Sequence, residues 1–191
     1  ANYTLTHSSA ASDVYKRQRD GRDALVSHRF QTFIDGTQHL NKEDWRIREA
    51  FINNPESFIN SEHSIFTEKG LRQASKRWES NVNETEERGK SLFGDYFYTL
   101  RYEDLLEDSA RELRKIWRFL GAEELGNELD ELIDAELNIN PDADWQREKA
   151  GEIASSLQKG SRGSWVEYFT PADHKVFESI AGDTLKNWGY Q

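Results

Sequence analysis

The 191-residue sequence contains no cysteine, which excludes disulfides and thiolate metal sites without fixing a compartment. Methionine is also missing everywhere, position 1 included, and the chain is therefore expected to be a piece of a longer one. No apolar run is long enough to cross a bilayer, and the opening residues lack the charged, apolar and small-residue order of a secretory signal. A soluble, cytoplasmic protein is expected. Basic charge is in short supply: 25 Lys and Arg face 35 Asp and Glu, for a net charge of -10. That balance opposes nonspecific nucleic-acid binding, so any anionic ligand needs a local cationic pocket.

What is present suffices for one packed domain, with 36% hydrophobic and 12% aromatic residues. Ala24, Leu25, Val26, Phe30, Phe33 and Ile34 recur at helical spacing behind the turn-like Asp20-Gly21, which predicts a helix near 22–35. A short helix is expected around Lys42 to Ile52, closed by the Asn53-Asn54-Pro55 breaker. A longer one follows from Glu68 to Lys90, with Leu71, Ala74, Trp78 and Val82 near one stripe. "DYFYTLRYEDLL" at 95–106 carries apolar character on both faces and reads as a buried strand. "SARELRKIWRFLG" offers a Ser109/Glu112 capping box, an apolar stripe of Leu113, Ile116, Trp117 and Leu120, and Gly121 as the stop. An acidic helix is expected around Glu123 to Glu136. Thr170 with Pro171 opens a last helix that ends at Gly189. Strand and helix alternation argues for an α/β domain with a parallel sheet covered by helices, although few strands are visible.

Three separated stretches stand out: "RDGRDALVS" at 19–27, "RYEDLLEDSARELRKIWRFLG" at 101–121, and "KGSRGSW" at 159–165 with "FTPADHKVFESIAGDTLKNWGY" behind it. In their order and separation they resemble the sulfotransferases that use 3'-phosphoadenosine-5'-phosphosulfate (PAPS). The resemblance implies a partial P-loop-like three-layer domain with a truncated parallel sheet, helix-rich as it stands. It implies that Arg19 and Ser27 bind the nucleotide's 3'-phosphate, a role suited to a guanidinium fork and a hydroxyl at the start of a helix. Tyr102 corresponds to a tyrosine that contacts the adenine. Lys159 and Gly160 belong to a glycine-containing phosphate loop, where lysine brings charge and glycine lets backbone N–H groups approach closely. Gln158 and Ser164 depart from the basic and acidic residues common at their positions.

The same resemblance puts PAPS as cosubstrate and an acceptor hydroxyl or amine as the other partner, with no metal. It puts Gly36 to about Lys69 near the acceptor side, where Trp45, Phe51 and Phe58 either line a pocket or pack in a core. The loop for the 5'-phosphosulfate and the general base are expected upstream of Arg19, so no catalytic residue is assigned, and residues 1–191 alone are expected to be inactive. Taken alone, the charges of "RDGRD" also fit solvated ion pairs in a turn. The whole chain can also be read as an acidic helical interaction module or as a related nucleotide kinase.

"SSAASDVYKRQ", Ser8 to Gln18, resembles the in-frame translation of a transposon-type adapter used to prepare sequencing libraries. Residues 1–18 are therefore expected to be non-native, and 19–191 to be the C-terminal part of a single sulfotransferase domain. Val14 and Tyr15 would then occupy a strand position only by accident.

Overall fold

The structure is a computed structural model that describes residues 14–59, 62–122, 126, 131–133, 135 and 162–190. They fall into two compact units, one within Arg19–Val82 and Leu137–Gln191, the other within Ala1–Gln18 and Asn83–Glu136. Among the described residues no helix is long and apolar enough to cross a membrane.

The first unit is helical. Helix α1 spans Gly21–Ile34, α2 Lys42–Asn53, α3 Glu56–Ile59, α7 Trp165–Tyr168 and α8 Pro171–Asn187, and α4 begins at Glu68 and runs to Phe93. Their starts are written in side chains that accept the otherwise orphan N–H groups of a first turn. Asp20 caps α1, Asn41 accepts from Glu43 and Asp44 at the head of α2, and Thr170 and Asp173 form a reciprocal capping box on α8. The core is aromatic. Phe30 and Phe33 of α1 are fully buried, and the Phe30 ring packs edge-on against Phe51 at 5.3 Å and Tyr168 at 4.8 Å. Phe51 in turn meets Phe58 at 5.5 Å, so both belong to the core rather than to a pocket wall, whereas Trp45 is exposed. Gly21 is a packing residue more than a turn residue. A Cβ there would lie 2.6 Å from the Trp78 ring and 2.7 Å from Phe177, so only glycine lets α1 start this close to its neighbours.

The second unit holds a two-stranded parallel sheet. Strand β1, Val14–Gln18, pairs with β2, Phe97–Arg101, in continuous register from Val14↔Phe97 to Gln18↔Arg101. Thus the segment expected to be non-native is paired along its last five residues. The expected strand over 95–106 is shorter than its aromatic content suggests: Gly94–Tyr96 is a 3-10 turn, and the chain becomes helical at α5, Tyr102–Glu107. Only Leu100 of β2 is buried, so the two-faced apolar pattern does not mark a fully enclosed strand. Helix α6, Ser109–Phe119, starts differently from the predicted capping box. Asp108 is the cap and accepts from the Arg111 N–H, Ser109 Oγ donates back to the Leu105 carbonyl, and Glu112 is buried against Lys115 and Arg111. Leu120 is exposed and Trp117 half-buried, while Gly121 does close the helix, at φ +64. The acidic helix expected around Glu123 to Glu136 lies mostly outside the described residues.

Candidate functional site

Arg19 follows β1 directly and stands one residue before the cap of α1; Ser27 lies two turns along the same helix, half-buried. Between them the charged residues are far from solvated. Asp20, Arg22 and Asp23 are 5%, 4% and 1% exposed, which overturns a reading of surface ion pairs. Asp20 accepts from the backbone N–H of Arg22 at 2.8 Å and grips its guanidinium through Nε at 3.1 Å and a terminal nitrogen at 2.6 Å. The Arg22 guanidinium then lies over the Trp165 ring, 3.9 Å from its centroid, a geometry that favours a planar cation.

Asp23 makes the connection that sequence reasoning missed. Its two carboxylate oxygens accept the N–H of Gly163 at 2.7 Å and of Trp165 at 3.0 Å, across 140 and 142 residues of chain. The end of the glycine loop is thereby tied to the first turn of α1. Gly163 sits at φ +80, a left-handed conformation that glycine adopts without strain, and its N–H is spent on Asp23. Burial pushes the Asp23 carboxyl above its ordinary value, against the two N–H bonds that favour the charged form; Asp20 adds to the rise and Arg19 opposes it. The only sequence signal was an acid in a helix's first turn, which the helix dipole alone would explain.

Against Trp165 packs His174, ring centroids 4.6 Å apart, with Phe169 at 5.9 Å. Burial lowers the imidazole's pKa, the Arg22 charge lowers it further, and Glu178, Asp20 and Asp173 pull the other way. The folded protein therefore favours neutral His174. An unfolded chain takes up that proton near the ordinary value of about 6.5, so this residue's stabilising contribution is present above that pH and is lost as pH falls through the lower folded value. His174→Gln is expected to flatten that part of the acid decline, read as thermal midpoints of both chains from pH 7.5 to 5. Parallel curves would show that other groups carry it.

Tyr102 stands at the start of α5 in the second unit, half-buried, with the Arg17 guanidinium 5.0 Å above its ring centroid. Lys159 and Gly160 lie outside the described residues. The structure thus places Ser27 on α1, Arg19 two residues before that helix, and the end of the glycine loop against Asp23 of its first turn. Among the described residues no group of three or more His, Asp or Glu side chains is arranged to hold a metal ion.

A family model described as "Sulfotransferase domain" matches residues 18–189. The chain belongs to the sulfotransferase domain family. Its matched region begins one residue before Arg19 and ends at Gly189, so the stretches at 19–27, 101–121 and 159–165 fall inside it. Cytosolic sulfotransferase 1 of Danio rerio is 28% identical over 119 residues, 58% of this chain and 38% of the relative. Among solved structures, mouse sulfotransferase SULT7A1 complexed with PAP is 19% identical, with a TM-score of 0.55 over 92% of this chain and 58% of that one, and shares the fold. The chain therefore spans well under two thirds of the length of either. The expected α/β sulfotransferase domain, helix-rich with a short parallel sheet, is what the structure contains.

Proposed function

We propose that residues 19–191 are the C-terminal part of a PAPS-dependent sulfotransferase and supply the 3'-phosphate and adenine side of its nucleotide site. The observation that carries this reading is the Asp23 clamp, which holds the glycine-loop end against the helix that begins two residues after Arg19. Fastening together two segments remote in sequence, each read as phosphate-binding, suits one shared ligand. The residue chemistry fits a phosphate dianion in an acidic protein. Arg22 is paired with Asp20, and the charge of the phosphate is assigned to Arg19 and the Ser27 hydroxyl, joined by Lys159 and the Gly160 N–H. Tyr102 offers the adenine an aromatic surface and a phenol.

PAPS supplies the sulfuryl group when bound; the assigned residues bind and orient its nucleotide end, and none of them is assigned a catalytic proton. The mouse protein's complex with PAP supports a nucleotide of this type. Residues 1–18 are proposed to lie outside the domain, a reading supported for residues 1–17 by a family match that begins at Gln18. The intact parent would act from the cytoplasm on a hydroxyl or amine acceptor.

Calorimetric titration with adenosine 3',5'-bisphosphate tests the site. Each lost charge-assisted hydrogen bond costs roughly 1.5–3 kcal/mol, so Arg19→Ala/Ser27→Ala, which removes at least two, is expected to weaken binding by about 100-fold or more. Adenosine 5'-monophosphate, which lacks the 3'-phosphate, should bind both chains alike. Equal affinity of both chains for the bisphosphate would refute the assignment.

A further inference from the structure

A cavity of about 850 Å³ opens in the first unit between α1, the Gly36–Leu40 turn and α4. Its volume suits a ligand of one or two sugar rings. Leu25, Phe66 and Trp78 form an apolar patch in its wall, and Leu25 and Phe66 are buried. One side is stiff: Arg29 donates to the Ile65 carbonyl at 2.7 Å and to Asp44 at 2.7 Å, a bridge whose side chains are 12% and 14% exposed. Most other lining side chains carry hydrogen-bonding atoms.

The polar groups decide the ligand class. His28, Gln31, Gln38, His39, Gln73 and Arg77 all line the space. A flat apolar ligand would strip water from these amides and imidazoles without replacing it. Vicinal hydroxyls both donate and accept, as an amide or an imidazole requires, while the apolar C–H face of a sugar ring can lie on Phe66 or Trp78. The charges are unequally available. Asp44 is held by Arg29 and Asn41, and Asp35 accepts from Gln31 at 2.5 Å. Arg77, by contrast, has no ion pair among the described residues. An incoming carboxylate finds a cation there, and the lining carboxylates already have donors of their own.

We propose that this cavity binds a hydroxyl-rich, carboxylate-bearing ligand of sugar size, the class from which the acceptor is drawn. The inference rests on the sulfotransferase reading only for the word acceptor. Its wall includes His28, the residue after Ser27, so α1 presents the nucleotide ligand on one face and this cavity on the next.

Calorimetry with a glucuronate-containing disaccharide, cellobiose and 2-naphthol tests it on the full chain, with adenosine 3',5'-bisphosphate run separately. The uronate disaccharide is expected to bind at least fivefold more tightly than cellobiose, and 2-naphthol more weakly than either. Arg77→Gln should remove most of the uronate preference, and Gln31→Leu/Gln38→Leu should weaken both sugars about tenfold. Both variants change side chains on the cavity's rim and should leave bisphosphate binding and the circular dichroism spectrum unaltered. Tighter binding of 2-naphthol, or sugar binding indifferent to these variants, overturns the proposal. Bisphosphate binding without uronate binding also sinks it while the nucleotide reading stands; the reverse result upholds the cavity and sinks the nucleotide reading.

Discussion

Phe30→Ala is expected to destabilise the chain by about 3–5 kcal/mol, the range for deleting an enclosed aromatic ring. Phe30 is 0% exposed and makes edge contacts with Phe33 at 6.3 Å, Phe51 at 5.3 Å and Tyr168 at 4.8 Å. Those rings come from α1, α2 and α7, so three elements border the space it would vacate, and collapse around it would have to move all three. Domains of this size are stable by only about 5–15 kcal/mol, so the variant should lose a large share of the total. Urea unfolding followed by circular dichroism gives the answer. A midpoint shift equivalent to less than about 1 kcal/mol would mean that the aromatic cluster is not the organising core.

Asp23→Ala should cost roughly 2–4 kcal/mol and weaken adenosine 3',5'-bisphosphate binding at least tenfold. Two N–H groups, of Gly163 and Trp165, lose a charged acceptor at 2.7 and 3.0 Å, and the removed cost of burying the carboxylate offsets only part of that loss. Asp23→Asn separates charge from geometry. An asparagine keeps one acceptor but turns an NH2 donor toward the second N–H, so it should recover only part of the stability. If Asp23→Ala leaves bisphosphate affinity untouched, the clamp is structural and the argument that it serves a ligand falls.

Much of the helical framework was legible because caps and periodicity act locally. Thr170-Pro171 announces α8, and the Leu71, Ala74, Trp78 and Val82 stripe marks α4. The boundary at Tyr102 was not legible, since aromatic residues suit a strand and a half-covered first turn of a helix equally well. Nor was the cap of α6. Asp108 and Ser109 are adjacent, both suit the role, and only the backbone angles decide between them. At the candidate site, Arg19 and Ser27 are proposals from residue type, whereas the role of Asp23 was not legible, because its partners are backbone N–H groups that leave no trace in side-chain identity. Leu120, read as part of the core stripe, is exposed: it stands past the last turn of α6, at its C-cap.

The span of the Asp23 clamp also bears on the order in which the molecule assembles. Helix α1 forms from neighbours within its own fourteen residues, whereas the bonds to Gly163 and Trp165 close a loop of 140 residues or more. Loop closure of that length must be met before the bonds return any free energy, so the clamp belongs to the late side of the folding barrier. Its loss therefore falls mainly on the unfolding rate, and stopped-flow unfolding of the Asp23→Ala chain should speed up while refolding changes little. The tie between α1 and the end of the glycine loop is, on this account, finished last and opened first.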